Sequence, residues 1–558
     1  MTKAMPGRRL LLCMLTALLL LSFVPLTAQA AEYTAQGATA FVFSDTGITV
    51  TPGDYTGYKI SKTALTINQA GTYIVSGSCA DGSITVKKGT TGVTLVLNGL
   101  TLTSADTAPL ACNKSSGVTL VVASGTVNSL TDSANNNDEN FPDNADAENA
   151  VIKCKDGSNV VICGAGTLNI TANGKNGIKS GATTEEEGEA SLTIREVTLN
   201  ITAPVNDAVN AEQLLRIESG ALTISAADDA LHCDLEMQIG AAGTVGPTIN
   251  ITACYEGLEA ATLNILSGNV SIVATDDCLN AANSDLTDYA FSMTISGGVI
   301  TAYTSSGDGF DSNGSLMITG GTVTVWTANT ADNQPLDADG TITITGGTVL
   351  AAGGSGGMGM TLNASQPCVI FGAAAGNGGM GGASGGQPGG QPGEQPGGQP
   401  GEQPGNPPGG QSGQPGQTGA SAQIAKGSSL LIQDGAGTTL YSGMAVCDAS
   451  YLFFSSAELT ADSSYTLMAD NTVVATAAAQ SGTVSSGGGQ PGNPSGGQPG
   501  GQPGQPGSQP EAGAATSPQT GDGASMGWCF VLAGSGTFAV LLWVLYRRIG
   551  RKKRVKAP

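Results

Sequence analysis

One short pattern recurs nine times between residues 108 and 339: Gly, Ala, Cys, Val or Pro, then an apolar residue, a variable residue and a small residue. The apolar positions are Leu110, Ile152, Ile178, Val209, Leu231, Leu258, Leu279, Phe310 and Leu336, separated by 42, 26, 31, 22, 27, 21, 31 and 26 residues. Between them lie short runs rich in β-branched residues, such as GTLNITA, GALTISA, PTINITA and GTVTVWTA, with no helical period of useful length. Short strands recurring beside a fixed turn are the mark of a solenoid, and the shortest spacing equals about one three-sided coil. The expectation is an all-β chain, a right-handed parallel β-helix whose longer repeats carry inserted loops.

Strand alternation then assigns directions to side chains. The position two beyond each apolar residue is Cys112, Cys154, Ser180, Ala211, Cys233, Ala260, Ala281, Ser312 or Ala338, always small, as an inward stack beside a bend requires. The intervening residue points outward: Lys153, Lys179, Asn210, His232, Glu259, Asn280, Asp311 and Asp337. Two residues before the apolar position stand Asp207, Asp229, Glu256, Asp277 and Asp308, on five consecutive repeats. Equivalent positions on neighbouring coils stack about 4.8 Å apart, where two like charges cost about 3 kcal/mol at an effective dielectric of 20. Such a ladder calls for protonation, for asparagine and backbone partners, or for cations. Hard oxygen ligands with no histidine or cysteine ligand expected nearby suit Ca²⁺, so Asp207, Asp229, Glu256, Glu259, Asp277, Asp308, Asp311 and Asp337 are the candidate metal ligands. His232, the only histidine in the chain, reads as a surface residue, and its solitude removes Ser-His-Asp and Cys-His catalysis.

Charge and composition narrow the partners. Acidic residues number 44 against 22 basic. Lys3, Arg8, Arg9 and seven basic residues between 547 and 556 flank the terminal apolar runs; without those ten, and without Asp522, 43 acidic residues face 12 basic ones. So negative a surface excludes nucleic-acid binding and attracts cations. Of the 11 cysteines, Cys13 and Cys529 lie in the terminal apolar runs, and the remaining odd number without a C-x-x-C pair reads as buried free thiols.

The chain divides into eight segments. Residues 1–30 have the charged, apolar and small-x-small parts of a secretory signal. Residues 31–375 hold the β-helix. A Gly/Pro/Gln-rich insertion (376–420) with too few apolar residues for a core separates it from short strands over 421–483, expected to pack back on the main domain. A second linker of the same kind (484–516) leads to Ser517-Pro518-Gln519-Thr520-Gly521, then an apolar segment of spanning length (526–546) and a basic tail (547–558) that stays cytoplasmic. The 517–521 motif resembles a sortase sorting signal of the SPxTG type, in which the chain is cut between Thr520 and Gly521 and joined to peptidoglycan. A plain membrane anchor through one C-terminal helix is the other reading. Both place the protein on the surface of a Gram-positive type cell.

The segments GTYIVSG, VTLVLNGLTLTS, NGIKS, DDALHCD, YEGLEAA, DDCLNAAN and SGDGFDSNG together resemble the secreted carbohydrate-binding β-helix family of anaerobic Gram-positive bacteria, over roughly residues 45–375. The resemblance implies a pectate-lyase-like fold, calcium at the turn carboxylates, and plant cell-wall glycans such as polygalacturonate or cellulose as partners. Ala150, Asn176 and Gln334 depart from the acidic register at the end coils. Calcium on the ladder would bridge protein and uronate carboxylates; neutral sugars would instead stack on Tyr255, Tyr303, Phe310 or Trp326. Catalysis is the alternative, since uronate lyases and hydrolases also use carboxylate-rich β-helices, but a lyase needs a basic residue at the metal and Arg195 and Arg216 are both out of register. A stalk or adhesin with purely structural calcium is the third reading. The expectation is a binding protein and not an enzyme.

Overall fold

The strand Thr198–Ala203, TLNITA, alternates strictly, with Leu199, Ile201 and Ala203 buried and Thr198, Asn200 and Thr202 turned outward. A strand this short cannot cover its own apolar side, so each must be stacked on others. The computed structural model, which describes residues 33–328, 333–353, 361–372 and 422–485, achieves this with strands alone. Three parallel ladders run through it. One contains the apolar anchors: Leu110–Cys112, Ala150–Cys154, Asn176–Ser180, Val209–Ala211 and onward to Phe310–Ser312. A second runs from Gly117–Val122 through Asn159–Cys163, Ser191–Ile194 and Leu214–Ile217 to Ser315–Ile318 and Ile342–Ile344. The third runs from Val127–Asp132 through Thr167–Thr171, Thr198–Ala203 and Ala221–Ala226 to Thr348–Gly353.

The chain visits the three ladders in rotation, and each strand pairs with its counterpart one repeat later. All nine anchors are buried, in one continuous apolar cluster with Ile194, Ile201, Ile265 and their equivalents. The turn before each anchor is tight: a Cβ added to Gly257 would lie 2.2 Å from the Cys278 carbonyl oxygen of the next repeat. The nine cysteines of the described residues are free and buried.

Antiparallel pairs cover the start of the ladders and the far ends of the second and third. At the start, Thr39–Ser44 pairs antiparallel with Gly47–Thr51 and parallel with Gly71–Cys79, and Tyr58–Ser61 folds back on Ala64–Ile67. Phe41 fixes this end, its ring 4.9 Å from Tyr58 in an edge-on contact. At the other end, Tyr451–Ser455 pairs antiparallel with both Thr348–Gly353 and Thr361–Phe371, and Gln480–Ser485 also lies on Thr361–Phe371. A separate four-stranded antiparallel sheet (Ser429–Asp434, Thr439–Met444, Ser464–Ala469, Thr472–Ala478) packs beside them.

That returning segment corrects part of the aromatic assignment. Trp326 sits on the outward side of the third ladder but is fully buried, in an apolar cluster that also holds Phe454, Val369, Phe371 and Leu430, and Tyr303, its neighbour in register, packs half-buried against the same cluster. Phe310 is fully buried because it is an anchor and faces the interior. Neither Phe310 nor Trp326 can present a face to a sugar; Tyr255, 47% exposed, can. No helix among the described residues is long and apolar enough to cross a membrane. The segments 1–30, 376–420, all but the first two residues of 484–516, the motif Ser517–Gly521, the apolar span 526–546 and the tail 547–558 lie outside the described residues.

Candidate functional site

The turn that precedes each anchor strand holds its place through one backbone bond per repeat. The N–H groups of Gly177, Ala208, Ala230, Gly257 and Cys278 donate to the carbonyls of Asp207, Asp229, Glu256, Asp277 and Asp308 in the following repeat, at 2.9–3.2 Å. The five acids therefore stand in one stack. Their side chains reinforce it: Asp207 accepts the Asp229 backbone N–H at 3.2 Å, Asp277 that of Asp308 at 2.6 Å, and Asp308 that of Gln334 at 2.5 Å. Beside this stack runs the outward column, in the register Lys153, Lys179, Asn210, His232, Glu259, Asn280, Asp311. Asp337 continues it, its N–H donating to the Phe310 carbonyl at 2.8 Å.

Three sets of side chains bring their ligand atoms within 4.8 Å of one another: Asp207 with Asp228 and Asp229; Asp229 with His232 and Glu259; and Asp308 with Asp311 and Asp337. Glu256 and Asp277 stand between these sets in the same stack, with Asn280 donating to Glu256 at 3.0 Å.

Burial dominates the electrostatics. Loss of water raises the carboxyls of Asp277, Asp308 and Asp311 to about 8, 7 and 6, and neighbouring acids push the same way. Glu256 reaches about 9 for the same reasons, with Asp229 and Glu259 as its closest like charges. Asp207, Asp229 and Asp337 are also raised by burial. Tyr255 is raised to about 12, chiefly by its hydrogen bond to the Asp276 carboxylate.

His232 departs from the surface role read from the sequence. Its Nδ1 lies 3.0 Å from Asp229 and 2.6 Å from Glu259, and its Nε2 lies 2.9 Å from Asp234. Burial alone would lower the imidazole, but these three carboxylates raise it, and its hydrogen bond in turn holds Glu259 below the usual range despite burial. An imidazolium thus stands inside the ladder as an internal cation. The signal in the sequence was its position in the outward column, flanked by Asp229 and Asp234.

The remaining ladder fits a hard cation on two counts. Its donor atoms beyond His232 are all oxygens, and the Oδ1 of Asn280, buried between Glu259 and Asp311 in register, has no hydrogen-bond partner among the described residues. An orphaned buried acceptor is rare in a folded chain, and a cation is one group that would satisfy it.

Comparison with known proteins adds the following. A family model described as carbohydrate-binding domain-containing protein matches residues 61–357, more than half of the 558-residue chain. A carbohydrate-binding domain-containing protein of Acetivibrio thermocellus is 34% identical over 123 residues, 22% of this chain and 42% of that protein. The match thus spans less than half of that curated relative. A solved structure described as the polysaccharide lyase-like protein from C. thermocellum, in a gadolinium derivative, is 21% identical with a TM-score of 0.32, covering 55% of this chain and 96% of the other.

Proposed function

The chain belongs to the family of carbohydrate-binding domain-containing proteins, and from that premise we propose that it is a cell-surface protein holding polysaccharide in a calcium-dependent manner. The polysaccharide is an acidic one of the polygalacturonate kind. We read the three ladders as a right-handed parallel β-helix, the hand expected of parallel crossovers. Cellulose, as a neutral chain, is the lesser candidate at the ladder, because of the four aromatics read from the sequence Phe310 and Trp326 are buried and Tyr303 is half-buried, which leaves Tyr255 as the exposed one.

The observation that carries the reading is the half of the ladder after His232. There Asp277, Asp308, Asp311 and Asp337 follow one another with no basic side chain in the outward column. Asp308, Asp311 and Asp337 would hold one ion, and Asp277 with Glu256 and the unsatisfied Asn280 oxygen would serve a neighbouring one. Bound calcium would supply open coordination positions to a uronate carboxylate. The protein's own part is to fix the carboxylates: Asp277 and Asp308 each accept a backbone N–H from the next repeat, and Glu256 accepts the Asn280 amide, which sets their directions before any ligand arrives. Glu259 and Asp229 are committed to His232 and contribute less.

Catalysis receives no support from this arrangement. A lyase needs a base beside the metal, and the lysines of the outward column, Lys153 and Lys179, lie at its far end. The C-terminal motif and basic tail support anchoring to peptidoglycan by a sortase, or to the membrane directly, on a Gram-positive type cell.

The test is retardation of the full chain in native gels containing polygalacturonate, with calcium and with chelator. Slowing only with calcium is expected, and the paired change Asp277→Asn with Asp308→Asn should weaken it by about tenfold or more. Equal mobility with and without polymer, calcium present, would sink uronate recognition.

A further inference from the structure

The repeats are unequal, and the inequality is arranged. The two spacings of 31 residues, Ile178 to Val209 and Leu279 to Phe310, bracket three spacings of 22, 27 and 21. In both long repeats the extra residues fall at the same place, between the anchor strand and the strand of the second ladder. One insertion joins Asn176–Ser180 to Ser191–Ile194, the other joins Leu279–Ala281 to Ser292–Ile295. The repeats between them have almost nothing there: Val209–Ala211 is followed by Leu214–Ile217, while Leu231–Ile239 and Leu258–Ile265 run through unbroken. Two walls thus stand four repeats apart, about 19 Å at strand spacing, over a low floor.

The floor and walls enclose an open groove of about 520 Å³, within the range of ligand sites. Thr183 and Glu189 come from the first wall, Gln213, Arg216 and Glu236 from the floor, and Tyr289 from the second wall. The first wall is held by the Thr184–Gly188 bridge and by Gln213, whose Oε1 accepts the Thr183 N–H at 3.3 Å. Tyr289 is 37% exposed; its hydroxyl lies 3.0 Å from Thr262 Oγ1 and its ring 5.3 Å from Phe291.

Arg216 is the unusual member. It points outward between Thr193 and Gln238 in register, half-buried, and its guanidinium has no ion pair or hydrogen bond among the described residues. An unpaired guanidinium in so acidic a protein is a donor held ready, and it shares the groove with the acceptors Glu189 and Glu236. A uronate carboxylate would meet two like charges there. A neutral sugar would not: its hydroxyls can donate to the carboxylates and accept from the guanidinium, and its ring can lie on Tyr289.

We propose that this groove is a second glycan site, taking a neutral polysaccharide chain laid across the repeats without any metal ion. The proposal rests on membership of the carbohydrate-binding family and is independent of calcium at the ladder.

The test uses the full chain in native gels with chelator present, and hydroxyethylcellulose, xyloglucan and galactomannan as probes. At least one is expected to retard the protein. Arg216→Ala should then weaken binding at least about tenfold, and Tyr289→Ala about three- to tenfold. Arg216→Lys, which keeps the aliphatic stem and charge, should fall between wild type and Arg216→Ala; it keeps the test open if Arg216→Ala misfolds. Asp277→Asn with Asp308→Asn should leave neutral binding unchanged. No retardation by any of the three polymers, or full retention in a folded Arg216→Ala, overturns the groove. Retardation by polygalacturonate with calcium would stand apart from either result, so the two sites fail separately.

Discussion

The ladder has two halves built on one register, and they solve the same problem differently. In the earlier half the outward column supplies Lys153, Lys179 and His232, and the acids beside them find partners within the chain: Asn210 donates to Asp207 at 2.7 Å, and His232 binds Asp229 and Glu259. In the later half the column reads Asn280, Asp311, Asp337, and among the described residues the charges acting on Asp277 and Asp308 are other acids. Backbone geometry is shared; only the counter-charge differs. Stacked like charges must be neutralised somehow, and this chain carries its own cation at one end while leaving the other to protons or ions from solution.

The largest expected effect separates the halves by pH and calcium. Unfolded carboxyls titrate near 4, whereas Asp311, Asp308, Asp277 and Glu256 titrate at about 6, 7, 8 and 9 in the fold. The folded state therefore holds more protons at these four groups, and in chelator their contribution to stability is greatest below the unfolded values and is lost as pH rises through 6 to 9. Calcium at a hundredfold over its dissociation constant should restore about 2.7 kcal/mol at pH 9 and little at pH 5. Thermal melts at both pH values decide it; an equal calcium shift at pH 5 and 9 would break the comparison.

A somewhat smaller change should convert one half into the other. His232→Gln removes the internal cation, costing about 2 kcal/mol in chelator. The sign follows from the raised imidazole: its contribution is complete below about 6.5 and shrinks as pH climbs towards the folded value. Calcium should recover much of the loss, because Asp229, Asp234 and Glu259 would then form an uncompensated set like the later one. Denaturant melts of the variant with and without calcium test this, and a loss that calcium cannot touch would mean that His232 acts by packing alone.

The smallest effect is a gain. Asp308→Asn removes one like charge while its amide oxygen can still accept the Gln334 N–H, so stability in chelator at pH 8 should rise by about 1 kcal/mol. The same variant should respond less to calcium. A fall in stability without calcium would show that the later acids are satisfied within the chain.

Much of this was legible in the residues because a stacked repeat forces each position to one direction. The anchors from Leu110 to Leu336 are internal, as are the small residues two beyond them except the half-buried Ala338, and the acids and outward residues stack in the order the alignment assigned. The misreadings share a cause: they concern what meets an outward face from far away. Nothing near Trp326 announces that strands more than a hundred residues later, Phe454 among them, will bury it in one cluster. Phe310 was readable, since its place among the anchors already argued for the interior. His232 looked peripheral in one dimension and became central only once Glu259 was set one repeat above it. The groove likewise needs two insertions about a hundred residues apart to fall on the same side.

The antiparallel pairs at both ends have a consequence for the molecule in crowded surroundings. A stack of parallel strands ends in a row of unpaired N–H and C=O groups, the template on which another copy would add and grow into fibres. Thr39–Ser44 paired to its own hairpin at one end, and Tyr451–Ser455 and Gln480–Ser485 laid antiparallel at the other, place strands of the chain itself on the edges of the second and third ladders. A further copy would meet these short antiparallel strands instead of the open edge of the parallel stack.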